Sequence, residues 1–231
     1  MSLGGSIFVL HRKRFGTLGA VVLSIALTAC GSAATPSAAK PATPNSSAAA
    51  GPASPSPTPH AALLTKAQLT SALLPLSQMP AGWSSEGDSS PGDKTFCDYR
   101  QPHKARIQIS RSFQKGGGLT ATIATVGIRQ YASASDAAES FAAMEKALTT
   151  CHQETYQGAV LKYSPMSVDK LGDQSLGVRI DSDGTTLLQQ FTLDGPTLIN
   201  VGTGGLTNAE ADTATKLLRD QVDRYEAAAR K

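Results

Sequence analysis

The sequence predicts an α+β fold, a mainly antiparallel β-sheet flanked by helices that follows a disordered tether. Three observations carry this. Segments beyond residue 100 alternate apolar and polar residues with period two, as half-buried strands do. The connections between them are short and rich in Gly and Asp, the length of hairpins rather than of parallel crossovers. Three longer stretches open on capping signals and carry helical apolar spacing. The chain of 231 residues allows one ordinary domain plus appendages.

The first 60 residues hold four Lys or Arg and no acid, so the rest of the chain has 17 cations against 18 acids, a net charge of −1. The net +3 of the whole chain therefore belongs to its leader. A near-neutral domain argues against nucleic acid as a partner, because counterion release needs a clustered basic face. Within the leader, His11, Arg12, Lys13 and Arg14 form a basic region, followed by ten residues from Leu18 to Leu27 that form an apolar one. Such a run is half of the roughly 20 residues a membrane span needs, so residues 1–29 are expected to be a signal peptide.

Leu27-Thr28-Ala29-Cys30 resembles the lipobox of bacterial lipoproteins. That resemblance implies cleavage before Cys30 and a diacylglycerol thioether on it, with acylation such as palmitate. The expected location is the outer face of the cell membrane, where two acyl chains suffice for stable anchoring. Residues 30–61 are the lipidated Cys and a tether. In its stretch 31–60, 25 of 30 residues are Ala, Pro, Ser or Thr, and seven are Pro. Nothing there can bury a core, so a disordered spacer is expected, reaching at most roughly 90 Å and nearer 30 Å as a coil. Lipidation of Cys30 also removes the odd thiol among three Cys. It leaves Cys97 and Cys151, which are expected to form one disulfide in an oxidising compartment.

The folded domain is expected over 62–231. Its first helix starts at Thr65-x-x-Gln68, its second at Ser133-x-x-Asp136 and its third at Thr207-x-x-Glu210. On the second, Ala137, Phe141, Met144, Leu148 and Cys151 form one stripe. On the third, Ala211, Ala214, Leu218, Val222 and Tyr225 do so. Between the helices, residues 105–111 alternate cleanly and Gly116-Gly-Gly118 turns the chain into a strand from Leu119. A phase slip at Thr125 and Val126 predicts a bulge there. Further strands are expected at 160–163, 176–180, 186–193 and 197–201, with turns at Asp183-Gly184 and Asp194-Gly195-Pro196. Strand, Gly-rich turn, strand and helix thus occur at 105–150 and again at 185–226, a shared architecture rather than a sequence repeat.

Several spacings resemble the PknH-like extracellular sensor domain. These are Met79-Pro-Ala-Gly-Trp83 after a short helix, Cys97 after a polar loop, Tyr131-Ala-Ser-Ala-Ser-Asp-Ala-Ala138, Cys151 at the end of that helix, and Leu171-Gly-Asp-Gln-Ser175. The family covers the outer domain of a mycobacterial receptor kinase and free-standing actinobacterial lipoproteins. The resemblance spans about 62–229 and implies a sheet flanked by helices, a disulfide from the helix end, a ligand cleft and no catalysis. The kinase member carries two disulfides, whereas this domain has Cys for one.

No catalytic constellation stands out, and no enzyme, metal or cofactor is expected. The His, Cys and Asp spacings fit no zinc site. Ser167-Val-Asp-Lys170 matches S-x-x-K, but Pro165 and Gly172 bracket it and its partner motifs are missing. Gly116–Gly118 and Gly202-Thr-Gly-Gly205 lack the Lys-Ser/Thr of a phosphate loop. Trp83, the only Trp, either caps the core below the first helix or lines a binding cleft. Asp173 either satisfies its own turn or contacts a ligand. Met79 and Met144 fit core positions. Two readings follow: a lipid-anchored sensor-like module holding a small apolar or amphipathic ligand or lipid, or an envelope interaction protein docking on a membrane protein or wall polymer without a pocket. An apolar cavity would favour the first and an exposed apolar patch the second.

Overall fold

The structure is a computed structural model and describes residues 63–89, 95–205 and 209–231. The expected signal peptide, the expected lipidation site Cys30 and the expected tether lie outside the described residues. Eight strands form one antiparallel sheet: β1 (Trp83–Ser89), β2 (Ile107–Lys115), β3 (Thr122–Gln130), β4 (Gln153–Tyr156), β5 (Ala159–Met166), β6 (Gln174–Ser182), β7 (Thr185–Asp194) and β8 (Thr197–Gly205). Their order in the sheet is β1-β2-β3-β8-β7-β6-β5-β4. Three helices, α1 (Lys66–Ala72), α2 (Ala134–Thr150) and α3 (Ala211–Ala229), pack against it. One disulfide joins Cys97 and Cys151, with Cα atoms 5.9 Å apart.

The two similar halves meet at the centre. β2, β3 and α2 answer to β7, β8 and α3, and the halves join where β3 pairs with β8. Because side chains alternate across a strand, the central strand β8 feeds two cores. Val126, Ile128, Ile199 and Val201 face Leu217, Leu218, Val222 and Tyr225 of α3 and Leu69 and Leu73 from α1. Leu198, Phe191, Val178 and Ile180 face the opposite way, toward Phe141, Met144 and Leu148 of α2. The helices thus cover opposite faces of a single sheet.

Polar side chains seat α1, which at seven residues is too short to hold itself together. Its start is a full capping box between Thr65 and Gln68. Its end is capped by α3: Gln221 Nε2 donates to the Ala72 carbonyl at 2.9 Å, the Leu74 amide donates to Gln221 Oε1 at 2.8 Å, and Arg224 donates to the Ser71 carbonyl at 2.7 Å. Gln130, with its amide oriented to satisfy both ends, exchanges two 2.9 Å hydrogen bonds with the Leu64 backbone.

Four elements differ from the expectation. The β2–β3 and β3–β8 registers run unbroken through Thr125 and Val126, so β3 has no bulge. The apparent slip arises because Ile123 is apolar yet 45% exposed beside the hairpin, while Ala124, Val126 and Ile128 make the buried row. The one bulge beside β2 lies in β1, between Ser85 and Gly87. The third helix begins at Ala211 with Glu210 as N-cap and no side-chain cap bond; Thr207 lies outside the described residues. Strands β1 and β4 were not expected at all. Both are sheet edges, where one partner suffices and no buried row of alternating residues is required.

The hairpin glycine Gly116 has φ +74°, and a Cβ there would meet the Thr120 carbonyl oxygen at 3.0 Å, so the tight return needs glycine twice over.

Candidate functional site

The helical stripe of α2 buries Ala137, Phe141, Met144 and Leu148 on the sheet, and Cys151 caps its end. Its last turns run out over β5 and β6 near the sheet margin. There β4 pairs only with Ala159–Lys162, leaving Ser164, Pro165 and Met166 of β5 without an outer neighbour. Pro165 has no N–H to present at that free edge, which protects it against further strand pairing.

A cleft opens in this corner. Its inner lobe, about 170 Å³, lies between Leu148 and Thr149 of α2 and Tyr163, Pro165, Leu176 and Val178 of the strands. An outer lobe of about 300 Å³ is lined by Phe141, Val168, Lys170, Gln174 and Ser175. Glu145 borders both lobes. One end of the cleft is therefore apolar and the other carries Lys170, Glu145, Gln174 and Ser175.

The walls are fixed by bonds away from the opening. Tyr163 donates its phenolic O–H to Glu154, and burial together with that carboxylate pushes its pKa up, so the phenol stays neutral. Phe96 stacks edge-on against Tyr163, with ring centroids 5.3 Å apart, and against Phe191 at 6.2 Å. The segment 167–173 at the mouth is tied down by Arg219 of α3, which donates to Asp169 at 2.9 and 2.5 Å, and by Ser175 Oγ, bonded to both backbone groups of Leu171. Among the described residues no group of three His, Cys, Asp or Glu is placed to hold a metal, and no helix is long and apolar enough to cross a membrane.

No protein-family model and no curated protein sequence matches the chain. Among solved structures, the crystal structure of the extracellular domain of PknH from Mycobacterium tuberculosis superposes with a TM-score of 0.58 at 10% identity, covering 71% of this chain and 97% of that one. The chain has the fold of the PknH extracellular domain. At 10% identity the likeness to PknH is one of backbone architecture, so what lines the cleft here is read from this chain's own residues.

Within the PknH fold, the residues singled out from sequence fall in different places. Cys97 and Cys151 are joined, and Cys151 sits in the same core as Leu148 and Tyr163 of the inner lobe. Trp83 starts the edge strand β1 and packs against the core below α1, four or more strands from the cleft. The Asp173 carboxylate accepts from the Gly195 amide at 2.8 Å and its own amide donates to the Leu193 carbonyl at 2.7 Å, so it clamps the β7–β8 turn. Structure brings neither Trp83 nor Asp173 to the cleft lining. Ser167 and Lys170 of the S-x-x-K match lie in the loop after β5, not at a helix start. Sequence reasoning missed Tyr163, Pro165, Leu176 and Val178 as a site. Pro165 inside a strand-like run was the available signal, since it marks an edge.

Proposed function

We propose that this is a lipid-anchored, extracytoplasmic, non-catalytic binding domain whose ligand is small and amphipathic. The supporting observation is the two-lobed cleft between α2 and β5–β6: an apolar inner lobe for a short hydrocarbon or ring, and a polar outer lobe for a head group. At about 170 Å³ the inner lobe is below the drug-sized range of roughly 300–1,000 Å³, which points to a short apolar segment entering it while the rest stays in the outer lobe. The interaction-protein reading fits less well. The exposed large apolar residues Leu63, Leu76, Ile123, Tyr156 and Val160 are spread over the α1 region, the interior strand β3 and the β4–β5 hairpin, and Tyr156 and Val160 point to opposite faces of that hairpin.

The test is native mass spectrometry with lipid extraction, on chain purified from its own envelope. A stoichiometric bound molecule is expected. Leu176→Trp, which fills the inner lobe, is expected to reduce its occupancy at least about tenfold, equivalent to about 1.4 kcal/mol. A clean unliganded mass in the unsubstituted chain would reject the reading.

The anchor rests on Cys30 and has its own test. Cys30→Ala is expected to move the chain from the detergent phase to the aqueous phase on partitioning, because both acyl chains are lost. Retention in the detergent phase would remove the lipid from the proposal and leave the cleft untouched.

A further inference from the structure

The cleft carries two opposite charges that the protein leaves without partners of its own. Glu145 of α2 borders both lobes, and Lys170 lines the outer one. Neither makes an ion pair among the described residues. On a helix a carboxylate is reached by cations three or four residues away, and those positions around Glu145 hold Phe141, Ala142, Leu148 and Thr149. Lys146, one residue on, faces a different side of the helix. In the loop after β5, the two acids near Lys170 are already engaged. Asp169 accepts from Arg219 at 2.9 and 2.5 Å, and Asp173 accepts from the Gly195 amide at 2.8 Å. Those bonds anchor the loop, so Lys170 is presented to the outer lobe from a held segment while Glu145 comes from the helix.

The apolar lobe and the two charges stand in a definite order. An apolar cavity of about 150 Å³ accommodates a benzene ring, so the inner lobe of about 170 Å³ has room for one ring or one branched chain of that size. Glu145 follows at the junction of the lobes, and Lys170 lies in the outer lobe only. A ligand with a single positive charge would be repelled by Lys170, and one with a single negative charge by Glu145. A ligand that carries both charges satisfies both residues.

Resting on the reading of the cleft as a binding site, we propose that its ligand is a zwitterion, an apolar α-amino acid. Its side chain enters the inner lobe, its ammonium meets Glu145 at the junction, and its carboxylate turns outward to Lys170. In an α-amino acid both charged groups sit on the carbon that bears the side chain, which places a cation directly beside the apolar group. A zwitterionic phospholipid has the reverse order, with the phosphate next to its apolar part and the ammonium outermost.

The experiment is calorimetric titration of the full chain in phosphatidylcholine vesicles, free of detergent that would compete for the inner lobe. The probes are phenylalanine, 3-phenylpropionate without the ammonium, phenethylamine without the carboxylate, and benzyl alcohol without either charge. Phenylalanine is expected to bind at least tenfold more tightly than each of the others. Glu145→Gln should weaken phenylalanine about fivefold, the scale of an exposed charge contact, without weakening 3-phenylpropionate. Lys170→Gln should weaken phenylalanine about as much without weakening phenethylamine, and Lys146→Gln should change nothing. Both charged residues are exposed, so their variants keep the fold, and a merely structural role would not sort the probes by charge. Phenylalanine binding no tighter than its analogues, or indifferent to both charge variants, would overturn the proposal; benzyl alcohol binding that Leu176→Trp abolishes would then leave the cleft standing as an apolar site. A phospholipid recovered as the molecule bound to the native chain would likewise overturn the amino acid and keep the cleft. If no probe responds to Leu176→Trp, the proposal falls together with the reading on which it rests.

Discussion

Replacing Cys97 and Cys151 together by serine is expected to destabilise the domain by about 4 kcal/mol. The bridge closes a sequence separation of 54 residues, and the chain-entropy relation gives about that figure for such a loop. It ties the 3-10 turn Phe96–Asp98, which has no side-chain cap, to the C-cap of α2. Cys97 and Asp98 both adopt left-handed backbone, φ 46° and 51°, a conformation that costs a non-glycine residue on the order of 1 kcal/mol and persists only when its surroundings impose it. Without the bridge, Phe96 loses its fixed position against Tyr163 and Phe191, and with it one wall of the second core. Urea unfolding measures the effect: at a slope of about 2 kcal/mol/M, the midpoint should fall by about 2 M with the slope nearly unchanged. A shift below about 0.5 M would mean that the core, not the bridge, holds this segment.

How far the sequence could be read followed from how local each signal was. The capping box at Thr65 and the cap at Ser133 are formed by residues three apart, and both helices start where those residues say. Residues 176–180, 186–193 and 197–201 lie inside strands because each faces a core on at least one side and shows it by alternation. The strand WSSEGDS of β1 has no such row; it exists because β2 offers it an unpaired edge, which no local pattern announces. QETY of β4 is the same case at the other margin. The cleft was illegible for a related reason. Its lining comes from α2, β5, β6 and the loop between them, and the corner is open only because β4 begins at Gln153, opposite Lys162, and leaves the rest of β5 uncovered. Trp83 drew attention by being unique and Asp173 by sitting among turn residues, but rarity and turn chemistry report on packing and backbone, not on a ligand.

Gln221→Leu is expected to cost about 2–6 kcal/mol, which is large for one polar side chain. Gln221 is fully buried at the junction of α3 with α1, and its amide does what a neighbouring strand would do, donating to Ala72 and accepting from Leu74. Leucine fills similar space but leaves a buried carbonyl and a buried N–H unpaired, at about 1–3 kcal/mol each. The sum is enough to release α1, whose seven residues have no helical stability of their own. Gln221→Glu separates this account from a simple packing defect. When protonated, its carboxylic acid can donate to Ala72 and accept from Leu74, so at about pH 4 and below the variant should be more stable than Gln221→Leu. As pH rises past the ordinary glutamate value of about 4.3, the unfolded chain ionises while burial and the facing carbonyl hold the folded acid protonated. Its folded pKa is thus the higher one, and stability must fall with rising pH until that pKa is reached. Parallel urea midpoints for the two variants across pH 4 to 8 would show this as a gap that narrows with pH. A pH-independent gap would mean that volume, rather than the two hydrogen bonds, is what Gln221 supplies.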